Sequence, residues 1–374
     1  MSVTVGQAIY AACQWGMISV LATLGNPEIV GHYALGVAVS APILMVAPGR
    51  RRLAAAADLR VMSLVFALLG VAAVGFLEHS IQDRLIIVMV AMAQSVEWIT
   101  DIYSGRRRAL SRGLHGGLSV LTLAFLVTAT GRAGAGLLGV LIVRLLVLFF
   151  YDFRQHRAPH ENSLPQSVHD AFGSFAASVP CYFIAHILGF HLLGIFAAIA
   201  SLAPTGNVLA SALAQAAAPA LRNSYEEGDH QGFTRLSLRL VCFGLVLGLS
   251  AVAGSLTIGG WVLTNLFGPQ YATYQVLLVA LAAASGIGFM ASLLGCILNA
   301  GRRLDEQVSI AIIAIALTAL ACVALVPRVG ILGAAYALGL GGMAQVIGQL
   351  WLVRSVARKP RKRVLLDLLR QPVA

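Results

Sequence analysis

About twelve times along its length the chain runs apolar for roughly 17–25 residues, the length a helix needs to cross a bilayer. The runs fall at 3–24, 31–48, 61–77, 85–103, 114–130, 134–151, 171–188, 194–221, 236–257, 274–298, 308–326 and 330–353. A continuous apolar run can satisfy its backbone in lipid only as a helix, whereas a membrane barrel would alternate apolar and polar residues. The expected fold class is therefore all-α integral membrane, with about 12 transmembrane helices. Composition agrees: 59% of the 374 residues are hydrophobic and 11% are charged, against about a quarter charged in a soluble domain.

Charge orients the spans. There are 24 Arg and 2 Lys, and the net charge is +11. With the amino terminus cytoplasmic, 22 of the 26 basic residues fall on inner connections, and only Arg84, Arg132 and Arg328 fall on outer ones. This is the positive-inside distribution. It predicts an even number of spans with both termini inside, and it accounts for the basic charge without nucleic acid. The five cysteines lie in apolar runs with no CxxC spacing, so neither a metal site nor a redox pair is indicated, and no cofactor is expected. The first 24 residues lack a basic n-region and a small-residue cleavage site, and read as a retained first span.

The longest polar inner connection, 152–170, divides the spans six and six. The expected organisation is an N-terminal six-helix lobe at 1–151, a cytoplasmic linker at 152–170, a C-terminal six-helix lobe at 171–353 and a basic cytoplasmic tail at 354–374. The tail reads either as resting on the anionic leaflet or as solvated. An internal repeat supports two pseudo-symmetric lobes. LGNPEIVGHYALGVAVSAP in the first half parallels LGFHLLGIFAAIASLAP in the second, pairing Gly31 with Gly194 and Pro42 with Pro204. Gly-Arg-Ala-Gly at 131–134 similarly parallels Pro-Arg-Val-Gly at 327–330. The repeats run in the same direction through the membrane, implying an axis along its normal.

Few polar residues sit inside the spans. Arg144, mid-span in GVLIVRLLVLFF, would cost about 2.5–3.5 kcal/mol on insertion scales and so should face a cavity or a partner. It reads either as an anion-binding group or as half of a structural pair. Gln94, Glu97 and Asp101 share one helix face by i,i+3 and i,i+4 spacing. Glu97 could couple to a proton, bind a cation or partner Arg144; Asp101 reads equally as an interfacial partner of Arg106–Arg108. His186 could titrate near neutral pH, or be a hydrogen-bonded interfacial histidine. Pro204 and Pro219 interrupt the unusually long eighth span, with Thr205, Asn207, Ser211 and Gln215 between them. That pattern fits a cavity-lining helix or a packing hinge. Gln345 and Gln349 read as an interhelical contact.

Four segments resemble the polysaccharide flippases, the Wzx-type O-antigen translocases, of the multidrug/oligosaccharidyl-lipid/polysaccharide exporter superfamily. They are LGNPEIVGHYALG at 24–36, LFGPQYATYQVLLVALA at 266–282, LNAGRRLDEQ at 298–307 and VPRVGILGAAYALGL at 326–340. The chain is shorter than most members and has little before its first span. The resemblance implies a non-enzymatic, two-lobed protein of the bacterial inner membrane. It would move a polyprenyl-pyrophosphate-linked oligosaccharide from the cytoplasmic to the periplasmic leaflet, by alternating access, beside polymerase or export machinery. Arg144, Glu97, Asn207 and Gln94 are then candidate substrate-binding residues; Glu97, Asp101 and His186 are candidate coupling residues. A drug exporter of the same superfamily is the nearest alternative. A membrane-embedded polymerase fits less well, because the outer connections read as very short.

Overall fold

The computed structural model describes residues 3–24, 26–46, 81–103, 108–147, 164–301 and 303–358. Among them there is no strand. The helices are α1 (Val3–Leu24), α2 (Pro27–Val46), α3 (Ile81–Tyr103), α4 (Arg108–Thr130), α5 (Ala133–Val147), α6 (Leu164–Ile187), α7 (Phe190–Ala200), α8 (Pro204–Glu227), α9 (His230–Thr257), α10 (Gly259–Phe267), α11 (Gln275–Ala300), α12 (Leu304–Val329) and α13 (Ile331–Arg358). A 3₁₀ turn at Pro269–Tyr274 joins α10 to α11. The expected third span at 61–77 and most of the tail lie outside the described residues, as does the first part of the linker.

Four described helical stretches are long and apolar enough to cross a membrane: His230–Thr257, Pro269–Ala300, Glu306–Val329 and Ile331–Ser355. Their outer faces present large apolar side chains in helical register. Ile313 and Leu320 are 63% and 67% exposed on α12, and Ile347 and Trp351 are 64% and 69% exposed on α13. Such stripes would drive aggregation in water; in a bilayer they meet lipid. The chain is a multi-pass membrane protein.

Two boundaries differ from expectation. The single long span at 194–221 is two helices, α7 and α8, broken at 201–203 just before Pro204. Proline lacks the N–H that would continue the ladder and is accommodated at a helix start. Pro219, by contrast, lies inside α8 without ending it. The connection between α9 and α11 is also longer than the short outer loops expected: it folds into α10 and the 3₁₀ turn. Ser19 of α1 donates a hydrogen bond to the carbonyl of Leu266 there. The α8–α9 turn follows local chemistry. Gly228 takes the left-handed conformation at φ 74°, and the Asp229 carboxylate accepts from the Gly232 N–H at 2.9 Å.

Among the described residues, α1 and α2 make the main contact of the first half with the second. α2 packs against α6 and α7, and α1 against α8 and α10. The crossing is built by the two glycines that the repeat pairs. A methyl group on Gly31 would overlap the carbonyl oxygen of Phe190, and one on Gly194 would overlap that of Pro27. Pro27 and Phe190 each lie four residues before their glycine, so the contact is reciprocal. Around it, Trp15 Nε1 donates to Ser201 O at 2.6 Å, Tyr182 Oη donates to Ala38 O at 2.7 Å, and the His32 ring stacks on Phe190 at 4.1 Å.

The cores divide accordingly. The larger one joins residues of both halves, among them Leu21, Val30 and Tyr33 with Leu193, Phe196 and Phe267. A second core, around Leu221, Leu240, Leu294 and Leu298, takes its buried residues from α8, α9, α11 and α13 among the described residues, with Ile310 of α12 packed against it. Away from the seam, the second half therefore closes upon itself.

Candidate functional site

Arg144 sits on α5, 1% exposed, with its side chain directed into the first half. Its Nη1 donates to the carbonyl of Ala93 on α3 at 2.9 Å, and its Nε donates to Ser119 Oγ on α4 at 3.3 Å. One guanidinium thus ties three helices together. Glycine permits the approach of α5 to α4, since a side chain at Gly139 would overlap Leu126. Beside Arg144 lies a cavity of about 10 Å³, lined by Met17, Tyr33, Gln94, Leu137 and Val140. That is the scale of one water molecule. In this conformation the pocket excludes a pyrophosphate.

The structure therefore brings Arg144 and Gln94 together, with Gln94 half-buried at the cavity wall. Glu97 and Asp101 lie on the same helix; their side chains are outside the described residues. Glu97 is one turn beyond Ala93, whose carbonyl receives the Arg144 bond. His186 is exposed at the seam end of α6, far along the chain from this cavity. Asn207 belongs to a different surface. It is exposed on α8 and accepts a hydrogen bond from Ser292 of α11 at 3.3 Å. No three His, Cys, Asp or Glu residues among those described are grouped to hold a metal.

Sequence reasoning passed over the seam residues Trp15, Ser19 and Tyr182. Their partners are backbone carbonyls far along the chain, and no side-chain pattern signals such contacts. The repeat did carry a signal for the seam, because it paired Gly31 with Gly194. Gln349, read as an interhelical contact, is 1% exposed and lies with Gln307 around Gly295.

No family model matches the chain. It is 22% identical to the capsular polysaccharide biosynthesis protein CapF of Staphylococcus aureus over 391 residues, covering 94% of this chain and 98% of that protein. Its fold is similar to that of the lipid II flippase MurJ in an inward closed conformation. The TM-score is 0.66 at 10% identity, over 93% of this chain and 86% of the other. It is also similar to an inward-facing multidrug resistance MATE family transporter of the MOP superfamily. There the TM-score is 0.60 at 14% identity, over 96% and 97% of the two chains. The chain thus shares an all-helical fold with these transporters over nearly its full length, and it is similar from end to end to a polysaccharide biosynthesis protein.

Proposed function

We propose that the protein is a flippase that carries polyprenyl-pyrophosphate-linked polysaccharide repeat units from the cytoplasmic to the periplasmic leaflet of the bacterial inner membrane. The observation that carries this reading is the reciprocal glycine seam. It joins the halves by close backbone contact, while the second half has in addition a core of its own. Two bodies joined in this way can rock about their contact, which is the motion alternating access requires. With the amino terminus cytoplasmic, as the arginine distribution favours, the seam would lie on the periplasmic side, and rocking about it would open the halves inward. The likeness to CapF supports a polysaccharide precursor as cargo.

In this reading Arg144 holds α3, α4 and α5 as one rigid body, and it reaches an anionic head group only if those helices part. Glu97 and Asp101 are the proposed coupling acids on α3, and His186 the corresponding candidate at the seam end. Deleting the gene in its host and fractionating lipid-linked sugars by leaflet tests the function. The expected result is a carrier-linked oligosaccharide trapped on the cytoplasmic side, with surface polysaccharide lost. Normal polysaccharide with new sensitivity to cationic dyes would overturn this reading in favour of drug export.

A further inference from the structure

α8 is 24 residues long, yet unlike α9, α12 and α13 it is not apolar enough to cross a membrane by itself. It nevertheless continues the path of α7, whose 11 residues rise only about 16 Å. The first turns of α8 must therefore lie at bilayer depth. Three polar residues of its first half fall on one flank: Asn207, Ser211 and Gln215 succeed each other at i,i+4. Exposed Leu209, Ala216 and Ala220 occupy the opposite flank.

α11, packed against α8, repeats the arrangement. Between 276 and 300 its hydroxyl and amide side chains are Ser285, Ser292 and Asn299, spaced seven residues apart and so on one face. Ser292 and Asn299 are exposed, and Ser292 Oγ bonds Asn207 across the two helices. Two polar lines thus meet at the Asn207–Ser292 contact, along the groove where α8 packs on α11. Asn299 Oδ1 already accepts from Gln307 Nε2 at 2.8 Å, but hydrocarbon cannot satisfy the Asn207 amide N–H groups or Gln215, so this flank faces water or a ligand.

The groove's chemistry is neutral. Gln215 makes no hydrogen bond among the described residues, and the Asn207 amide N–H groups donate none. Ser211 donates to Val208 O at 3.0 Å, leaving its lone pairs available. At the far end Arg222 is paired with Glu226 at 3.0 Å, and Arg303 with Glu306. Side-chain amides and hydroxyls, with their charges cancelled in pairs, match the vicinal hydroxyls of an uncharged sugar better than a phosphate.

We infer that the α8–α11 groove, from Asn207 to Gln215 and across to Ser292 and Asn299, binds the uncharged glycan portion of the cargo. This rests on the flippase reading and names which part of the substrate the second half handles. The test uses the purified full chain in nanodiscs and two probes: polyprenyl pyrophosphate bearing an uncharged tetrasaccharide, and bare polyprenyl pyrophosphate. Asn207→Leu with Gln215→Leu is expected to weaken binding of the glycosylated probe at least tenfold and to leave the bare carrier unchanged. Ser211→Ala, a change too small to disturb the helix, should weaken the glycosylated probe by a smaller factor. Ala216→Gln on the opposite flank should change neither.

Equal binding of the glycosylated probe by wild type and all variants would overturn the groove assignment while leaving the flippase reading intact. So would equal loss of both probes in every groove variant, which would mark a structural role. A wild-type protein that binds neither probe would overturn the flippase reading itself, and the groove with it.

Discussion

Arg144 is the residue on which the first half turns. Its guanidinium is fully buried between an α3 carbonyl and an α4 hydroxyl. Truncation leaves buried acceptors without a donor, at about 1–3 kcal/mol for the group. Arg144→Ala is therefore expected to lower the unfolding midpoint in detergent, as well as abolish export. Arg144→Lys keeps the charge but not the fork that reaches two helices, and should restore only part of the stability. Circular-dichroism melts alongside an export assay check both; unchanged melts with lost export would place Arg144 in ligand binding instead. The residue was conspicuous from sequence, since an arginine at mid-span is rare. That its partners include a backbone carbonyl 51 positions away and a serine 25 away was not legible, because no local pattern signals such contacts.

At the level of elements, the α2–α7 crossing sets how the halves close. Alanine is the better helix former by about 1 kcal/mol, so a glycine held inside each helix argues for close approach. A methyl at Gly31 or Gly194 meets backbone oxygen, which cannot rotate away. Gly31→Ala and Gly194→Ala are each expected to cut transport at least tenfold, while Gly117→Ala, with open space around it, should be silent. Spin-label distances across the seam would show the widening. Tyr182→Phe removes one hydrogen bond between the halves, worth about 1 kcal/mol or roughly fivefold in the conformational equilibrium. The same distance measurement should show a larger seam-open population. The repeat motif made the paired glycines legible. That they touch one another was not, because a repeat specifies equivalence and not contact.

For the whole molecule, the testable quantity is orientation. In a background lacking Cys13, Cys181, Cys242, Cys296 and Cys322, Gln215→Cys should react with a membrane-impermeant thiol reagent only from the cytoplasmic side. His186→Cys should react only from the periplasmic side. The reverse pattern would invert the topology and place the seam on the inner face. The arginine distribution is the physical basis for this expectation: charges resist translocation, so they mark the retained side.

The sequence by itself determined the solvent and the element type, because a 374-residue chain with so little charge and such long apolar runs can satisfy its backbone only as membrane-spanning helices. It also carried the pairing of the glycines, a local property of residue type, whereas Pro204 read only as an interruption of one long span. Only the tertiary structure decided that Arg144 lies within one half, that Gly31 meets Gly194, and that α8 and α11 bring two polar lines into one groove. These depend on which helix faces are apposed. In lipid, where most faces are equally apolar, periodicity does not specify a partner; small residues and a few hydrogen bonds do, through contacts between distant positions.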